Sequence, residues 1–123
     1  MSGNNGSELC SLVIKSYYNV YNTLGYGFIK EVYVNALAVE LDKLKLVYEK
    51  QRPITVFYNN VNVGEFSVDL LIEGEILVEI KVADELDNED EQQLFNHLKA
   101  TGTEIGLLLN FGKKPEFKRK LYI

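Results

Sequence analysis

Two short segments in the middle of the chain carry the residues with the clearest chemical potential. Asp69 is separated by nine residues from the tripeptide Glu79-Ile80-Lys81, and both segments are otherwise apolar and strand-like. Carboxylates supply the hard oxygen ligands that Mg²⁺ prefers, and an ammonium group adds positive charge beside the same oxygens. This combination predicts a divalent-metal site of the kind that hydrolyses phosphodiester bonds.

A hairpin predicts how these side chains meet. Apolar residues alternate along residues 66–72 and again along 76–82, and Gly74 lies in the turn between them. Alternation of this kind places both apolar sets on one buried face. The expected pairing runs from Ile72 with Ile76 to Phe66 with Val82, and it sets Asp69 directly opposite Glu79, with Cβ atoms about 5 Å apart.

The opposed carboxylates have two explanations. Like charges facing each other destabilise a sheet, and a bound dication is a usual reason for tolerating them. A solvated sheet face is the alternative, because most charged residues in strands are simply exposed. Leu71 and Leu77 share the face of the carboxylates, however, so we expect a helix to cover it.

Size and composition predict one compact domain. The chain has 123 residues and is 46% hydrophobic, which predicts a single domain over residues 8–123 after a polar, disordered tail over 1–7. No apolar run approaches the roughly 20 residues of a membrane span, and the first residues lack a signal-peptide core. The expected location is therefore cytoplasmic or otherwise intracellular, neither membrane-bound nor secreted.

The charge distribution leaves the C-terminal segment open to two functions. A net charge of -5 disfavours a general positive field for nucleic acid, yet five basic residues crowd one region, namely Lys113, Lys114, Lys118, Arg119 and Lys120. They could bind nucleic-acid phosphates, or they could protect an exposed sheet edge. The apolar residues there could support a homodimer or complete the core, and they are Phe117, Leu121, Tyr122 and Ile123.

The remaining pattern predicts the elements that position the carboxylates. Helices are expected over 8–24, about 28–44 and 89–100. Strands are expected over 54–58, from about residue 61 into the hairpin, and over 105–110 and 117–123. A helix joins the hairpin to the next strand, so at least one strand pair should be parallel. The predicted fold is α/β, with a mixed central sheet of about five strands flanked by helices.

Three segments of the chain resemble a known family. They are LGYGFIKEVYVNALAVEL, VGEFSVDLLIEGEILVEIKV and QLFNHLKATGTEIGLLLNFG, and together they span most of residues 24–112. In their order and spacing they resemble the PD-(D/E)XK nuclease superfamily, and most closely its small GxxExxY proteins. The resemblance implies a restriction-endonuclease-like core and a nuclease that acts on DNA or RNA.

The resemblance also implies roles for individual residues. Asp69 and Glu79 would hold Mg²⁺ or Mn²⁺ with the carbonyl group of Ile80, and Lys81 would position or deprotonate the attacking water. Gln93 matches a glutamine that often supports the site from the following helix. Its polar neighbours leave the alternative that Gln93 is an ordinary solvent-facing helix residue.

Departures from the family pattern support a second hypothesis. Gly27 and Tyr33 frame Lys30 where the GxxExxY motif has glutamate, and His97 stands where a tyrosine usually follows the glutamine. Lys30 could neutralise a carboxylate in place of a metal, in a catalytically weakened or inactive module that binds nucleic acid or protein. His97 shares a helix face with Gln93 and could approach the site, or it could be a partly buried histidine with a local hydrogen bond.

Overall fold

The structure, a computed structural model, describes residues 3–122 and contains three helices and five strands in that range. The helices are α1 (Gly3–Leu24), α2 (Lys30–Lys43) and α3 (Asn88–Thr101). The strands are β1 (Tyr48–Tyr58), β2 (Val61–Ile72), β3 (Ile76–Lys81), β4 (Ile105–Phe111) and β5 (Pro115–Leu121). Among these residues, no helix is both long and apolar enough to cross a membrane.

The strands form one mixed sheet in the order β1-β2-β3-β4-β5. Neighbouring strands are antiparallel except β3 and β4, which are parallel because α3 carries the chain back across the sheet between them. This architecture confirms the predicted restriction-endonuclease-like fold, a mixed five-stranded sheet flanked by helices.

Two apolar layers hold the helices to opposite faces of the sheet. On one face, α1 and α2 pack side chains such as Tyr17 and Leu37 against Leu70 and its neighbours on the sheet. On the other face, α3 packs against a second cluster that includes Leu71. Consecutive residues of β2 therefore enter different layers, as the period of two in a strand requires. The helix predicted to cover Leu71 and Leu77 is α3.

Helix α1 begins earlier than predicted. The sequence suggested a disordered tail over residues 1–7, but the helix starts at Gly3 rather than Glu8. Gly6 is buried there, and a Cβ at this position would lie 2.7 Å from the Cδ1 atom of Ile105. Close packing on β4 offsets the poor helix propensity of glycine. Residues 1 and 2 lie outside the described residues.

The hairpin is paired as predicted only next to its turn. The register joins Ile72 with Ile76, Leu71 with Leu77 and Leu70 with Val78, and the paired residues end there. The predicted pairs from Asp69 with Glu79 to Phe66 with Val82 are wrong.

The side chain of Asp69 explains why the pairing ends. Its Oδ2 atom accepts the backbone N–H of Ile80, so a carboxylate takes the place of a β2 carbonyl. On the side of Asp69 that faces β1, Gln51 and Asp69 are left out of the β1–β2 pairing. Gln51 is in the left-handed conformation there, with a φ of 53°. Phe66 and Val68 then pack in the α3 layer instead of the predicted α1–α2 layer.

Helix α3, predicted over 89–100, has a cap at each end. Asp87 is the N-cap residue, and its side chain forms a capping box with Asp90. Gly102 ends the helix in the left-handed conformation, with a φ of 72°. Strand β1, by contrast, starts at Tyr48 rather than at residue 54 because Tyr48 pairs with Ile72 across the sheet.

Candidate active site

Asp69 lies where β2 separates from β3, and both of its carboxylate oxygens are bound. Oδ2 accepts the N–H of Ile80 at 2.7 Å, and Oδ1 lies 2.9 Å from the Nζ atom of Lys30. The residue is only 4% exposed. A nearly buried carboxylate requires such partners because burial of an unpaired charge is costly.

Lys30 reaches Asp69 from the first residue of α2. The loop before that helix is held by Tyr33, whose hydroxyl donates to the Gly25 carbonyl at 2.7 Å and accepts the Phe28 N–H at 3.1 Å. The Tyr33 ring stacks on Phe111 with centroids 4.0 Å apart. Tyr33 therefore fixes the segment that presents Lys30, and no hydrogen bond joins it to the carboxylates.

Glu79 has its partner on the opposite face of the sheet. Its Oε2 atom lies 2.8 Å from the Nδ1 atom of His97 on α3, and both side chains are buried. The imidazole also stacks on the ring of Phe66, with centroids 4.3 Å apart and an angle of 10° between the planes. His97, which was predicted to share a helix face with Gln93 and to approach the site, thus contacts Glu79, a predicted metal ligand.

Lys81 points to the first turns of α3. Its Nζ atom donates to Gln93 Oε1 at 2.8 Å and lies 3.8 Å from Asp90 Oδ1. Asp90 is also part of the capping box, so the start of the helix is fixed where it meets Lys81. Asp90 and Gln93 are three residues apart and share a helix face. That spacing could have indicated from the sequence that Asp90 also lies beside Lys81.

The predicted residues therefore form two groups around β3. Asp69 is bound to the backbone at Ile80, while Glu79 and Lys81 on either side both point to α3. Phe66, which stacks on His97, was assigned to the wrong layer by simple alternation. The β1–β2 pairing is interrupted at Gln51 and Asp69, and beyond this point the side chains of β2 point to the other face of the sheet. The sequence alone gave no signal for this interruption.

The donor atoms partly fit a divalent cation. Two carboxylates and a backbone carbonyl are hard oxygen donors of the kind Mg²⁺ and Mn²⁺ take. Each carboxylate already has a nitrogen partner, however, and among residues 3–122 no group of three or more acidic, histidine or cysteine side chains is arranged to hold a metal. A cation at Asp69 would compete with Lys30 for the carboxylate.

The basic C-terminal residues do not form one surface. Lys118 and Lys120 lie 3.4 and 2.5 Å from the carboxylate of Glu91 on α3. The hydrogen bond from Lys120 is the main cause that holds the pKa of Glu91 below its usual value. Arg119 lies between them in β5 and alternates to the other face. Lys113 and Lys114 belong to the turn between β4 and β5.

The apolar residues of the same segment pack partly on the body of the protein. Phe117 meets Tyr18 edge-on with ring centroids 6.4 Å apart, and Tyr122 meets Phe95 at 6.0 Å. Leu121 is exposed, and Ile123 lies outside the described residues. A homodimer through this edge stays a prediction.

The chain belongs to the PD-(D/E)XK nuclease superfamily, whose family model matches residues 7–120. The solved structure of SSO0001 is similar over 94% of this chain and 58% of that protein, with a TM-score of 0.58 and 17% identity. At that identity the likeness concerns the fold alone. No curated protein matches the sequence significantly. The predicted superfamily is confirmed, and the narrower resemblance to GxxExxY proteins stays a prediction.

Proposed function

We propose that this protein is a divalent-metal-dependent nuclease that hydrolyses phosphodiester bonds of DNA or RNA. The observation that carries the proposal is the connected arrangement around β3. Asp69 is bonded to the N–H of Ile80, and the adjacent Lys81 is held by Gln93. Ile80 and Lys81 of β3 are thus each bonded to a further residue, Asp69 or Gln93, to which the superfamily resemblance assigns a role in the site.

The proposed roles follow from the contacts of each side chain. Asp69, Glu79 and the Ile80 carbonyl would hold Mg²⁺ or Mn²⁺. When bound, such a cation offsets charge on the phosphoryl oxygens and lowers the pKa of a water ligand. Lys81 orients the attacking water and adds positive charge beside the phosphate, while Gln93 restricts the position of its ammonium group.

The Lys30–Asp69 ion pair favours a second function. An ammonium group 2.9 Å from Asp69 Oδ1 already offsets the charge that a metal would offset. In this alternative, catalysis is weak or lost, and the fold acts as a nucleic-acid-binding or protein-interaction module. The two functions differ in whether the folded protein binds a divalent cation.

Thermal unfolding in the presence of Mn²⁺ separates the two functions. A ligand that binds only the folded state at ten times its Kd stabilises that state by about 1.4 kcal/mol. For a domain of this size the corresponding rise in Tm is about 3–6 °C. The nuclease proposal predicts this rise for the wild type and its loss in Asp69→Asn.

Cleavage assays complete the test. Single-stranded, duplex and branched DNA and RNA are incubated with the wild type and with Lys81→Ala. Cleavage by the wild type alone supports the nuclease, whereas cleavage that persists in Lys81→Ala points to another site or a contaminant. Absence of any Mn²⁺-dependent rise in Tm at millimolar metal contradicts the nuclease and favours the module.

A further inference from the structure

A cleft of about 300 Å³ opens beside the candidate site. One wall is the loop before α2, which includes Tyr26 and Phe28, and the opposite wall is the turn after β4, which includes Lys113. Val82 and Asp84, which follow β3, line the remaining side. None of these residues takes part in the proposed chemistry.

Two chain segments connect the lining of the cleft to the candidate site. Phe28 precedes Lys30 by two residues, and Val82 directly follows Lys81. Two residues of extended chain span at most about 7 Å. A nucleotide whose phosphate lies near Asp69, the partner of Lys30, would therefore have a neighbouring base within reach of the cleft.

Partly buried hydrogen bonds hold the walls of the cleft in place. Tyr33 binds the Gly25 carbonyl and the Phe28 N–H, which fixes the first wall. Asn110 donates to the Ala83 carbonyl at 2.9 Å and accepts the Ala83 N–H at 3.0 Å, which fixes the segment after β3. A preformed cleft loses little conformational entropy when a ligand enters it.

The turn after β4 is held equally closely. Tyr21 donates its hydroxyl to the Gly112 carbonyl at 2.6 Å. A Cβ at Gly112 would collide with the carbonyl oxygen of Ala83, so glycine permits the turn to approach the segment after β3. Lys113 follows directly and lines the cleft.

The chemistry of the lining matches a nucleobase with its phosphate. Tyr26 and Phe28 are 57% and 47% exposed, so two aromatic rings remain available to a ligand. Aromatic rings bind unpaired bases by stacking, and a lysine beside them attracts the phosphate. The carboxylate of Asp84 can accept hydrogen bonds from the amino groups of a base.

We propose that this cleft binds an unstacked base of the nucleotide next to the scissile phosphate. This inference rests on the proposed nuclease function and deepens it, because a base inside a duplex cannot enter the cleft without leaving its stack. The substrate class is then nucleic acid with unpaired nucleotides, either single-stranded DNA or single-stranded RNA.

Fluorescence of 2-aminopurine tests the cleft directly. DNA and RNA single strands and a fully paired DNA duplex, each with one internal 2-aminopurine, are titrated with the full chain without divalent metal, so that no cleavage occurs. Stacking in the cleft should quench the single strands and leave the duplex unchanged. Tyr26→Ala and Phe28→Leu should weaken binding by about 5-fold or more, and Tyr26→Phe should retain it.

Tyr58→Ala is the matched control, because Tyr58 is an exposed tyrosine on β1 outside the cleft. Equal affinities for wild type and Tyr26→Ala, equal losses in Tyr26→Ala and Tyr58→Ala, or equal quenching of the duplex would each overturn the proposal. The Mn²⁺-dependent rise in Tm should persist in Tyr26→Ala. Specific quenching without that rise would retain the cleft and reject the nuclease.

Discussion

The ammonium group of Lys30 lies 2.9 Å from the Oδ1 atom of Asp69 and joins the first residue of α2 to the carboxylate where β2 leaves β3. The Lys30 side chain is 45% exposed, whereas that of Asp69 is 5% exposed. A half-exposed ammonium group thus pairs with a nearly buried carboxylate. The protein supplies its own positive charge at the position where the superfamily resemblance implies a metal.

Replacement of Lys30 should destabilise the metal-free protein and strengthen its response to Mn²⁺. Lys30→Met leaves the buried Asp69 oxygen without its cation, at an expected cost of about 1–3 kcal/mol. It also removes the competitor for the carboxylate. Urea unfolding with and without Mn²⁺ measures both effects.

Lys43→Met is the control for this experiment, because Lys43 pairs with Glu40 at the surface at 3.4 Å. Its effect should stay within about 0.5 kcal/mol. Lys30→Glu, which introduces the glutamate that the resemblance to GxxExxY proteins implies at this position, should give the tightest Mn²⁺ binding. An unchanged Mn²⁺ response in both Lys30 variants would show that Lys30 does not limit metal affinity.

The buried contact between His97 and Glu79 should contribute to stability through two separable interactions. His97→Phe keeps an aromatic ring against Phe66 but removes the hydrogen bond to Glu79, at an expected cost of about 1–3 kcal/mol. His97→Ala loses the stacking as well and should cost more. Equal stabilities of His97→Phe and wild type by urea unfolding would contradict a stabilising role for the hydrogen bond.

Gln93 should act on catalysis through the position of Lys81. Gln93→Ala removes the acceptor at 2.8 Å and should lower kcat by about 10-fold or more with little change in KM, because misplacement of a reacting group is costly. Gln92→Ala, at the exposed neighbouring position, is the control. Gln93→Glu should restore part of the rate. A matching loss in both alanine variants would indicate a general effect on α3.

Alkaline pH should destabilise the fold through Tyr17. Burial, the main cause, raises the pKa of Tyr17 well above the usual value of 10.0. Below pH 10 the hydroxyl is protonated in both the folded and the unfolded chain, so its stabilising contribution is fully present. Above that pH the unfolded chain releases the proton first, and the free energy of unfolding falls as pH rises toward the folded pKa.

Tyr17→Phe isolates this effect. At neutral pH the variant should lose about 1–3 kcal/mol, because the Asn110 carbonyl and the Glu116 N–H lose their partner. Between about pH 9 and pH 11 its stability should then decline less steeply than that of the wild type. Tyr58→Phe, at an exposed position, should decline as the wild type does. Parallel curves for Tyr17→Phe and wild type would contradict the assignment.

Glycine at position 112 should be required for stability. Gly112→Ala places a Cβ against the carbonyl oxygen of Ala83, and separation of the two segments should cost about 1–3 kcal/mol. Gly64→Ala meets no atom within 4 Å and should be nearly neutral. Thermal unfolding of the two variants makes the comparison. A neutral Gly112→Ala would show that the walls of the cleft adapt to the added methyl group.

The sequence by itself determined the features that depend on neighbouring residues. Alternation of apolar residues predicted the pairing of Leu70 with Val78 and of Ile72 with Ile76, because a strand has a period of two. The helix predicted over 89–100 is one residue shorter at each end than α3, and Asp87 caps its start because N-terminal N–H groups require acceptors. The order of the elements then predicted the parallel crossover and the mixed sheet.

Only the tertiary structure decided which groups meet around the carboxylates. Lys30 and Asp69 lie in different elements, and so do Glu79 and His97, so their contacts depend on how helices on opposite faces pack against the sheet. Alternation also failed at Asp69, where a left-handed residue in β1 and a side-chain bond to Ile80 interrupt the strand pairing. Such bonds form only when three separate segments are brought together, and no local pattern encodes them.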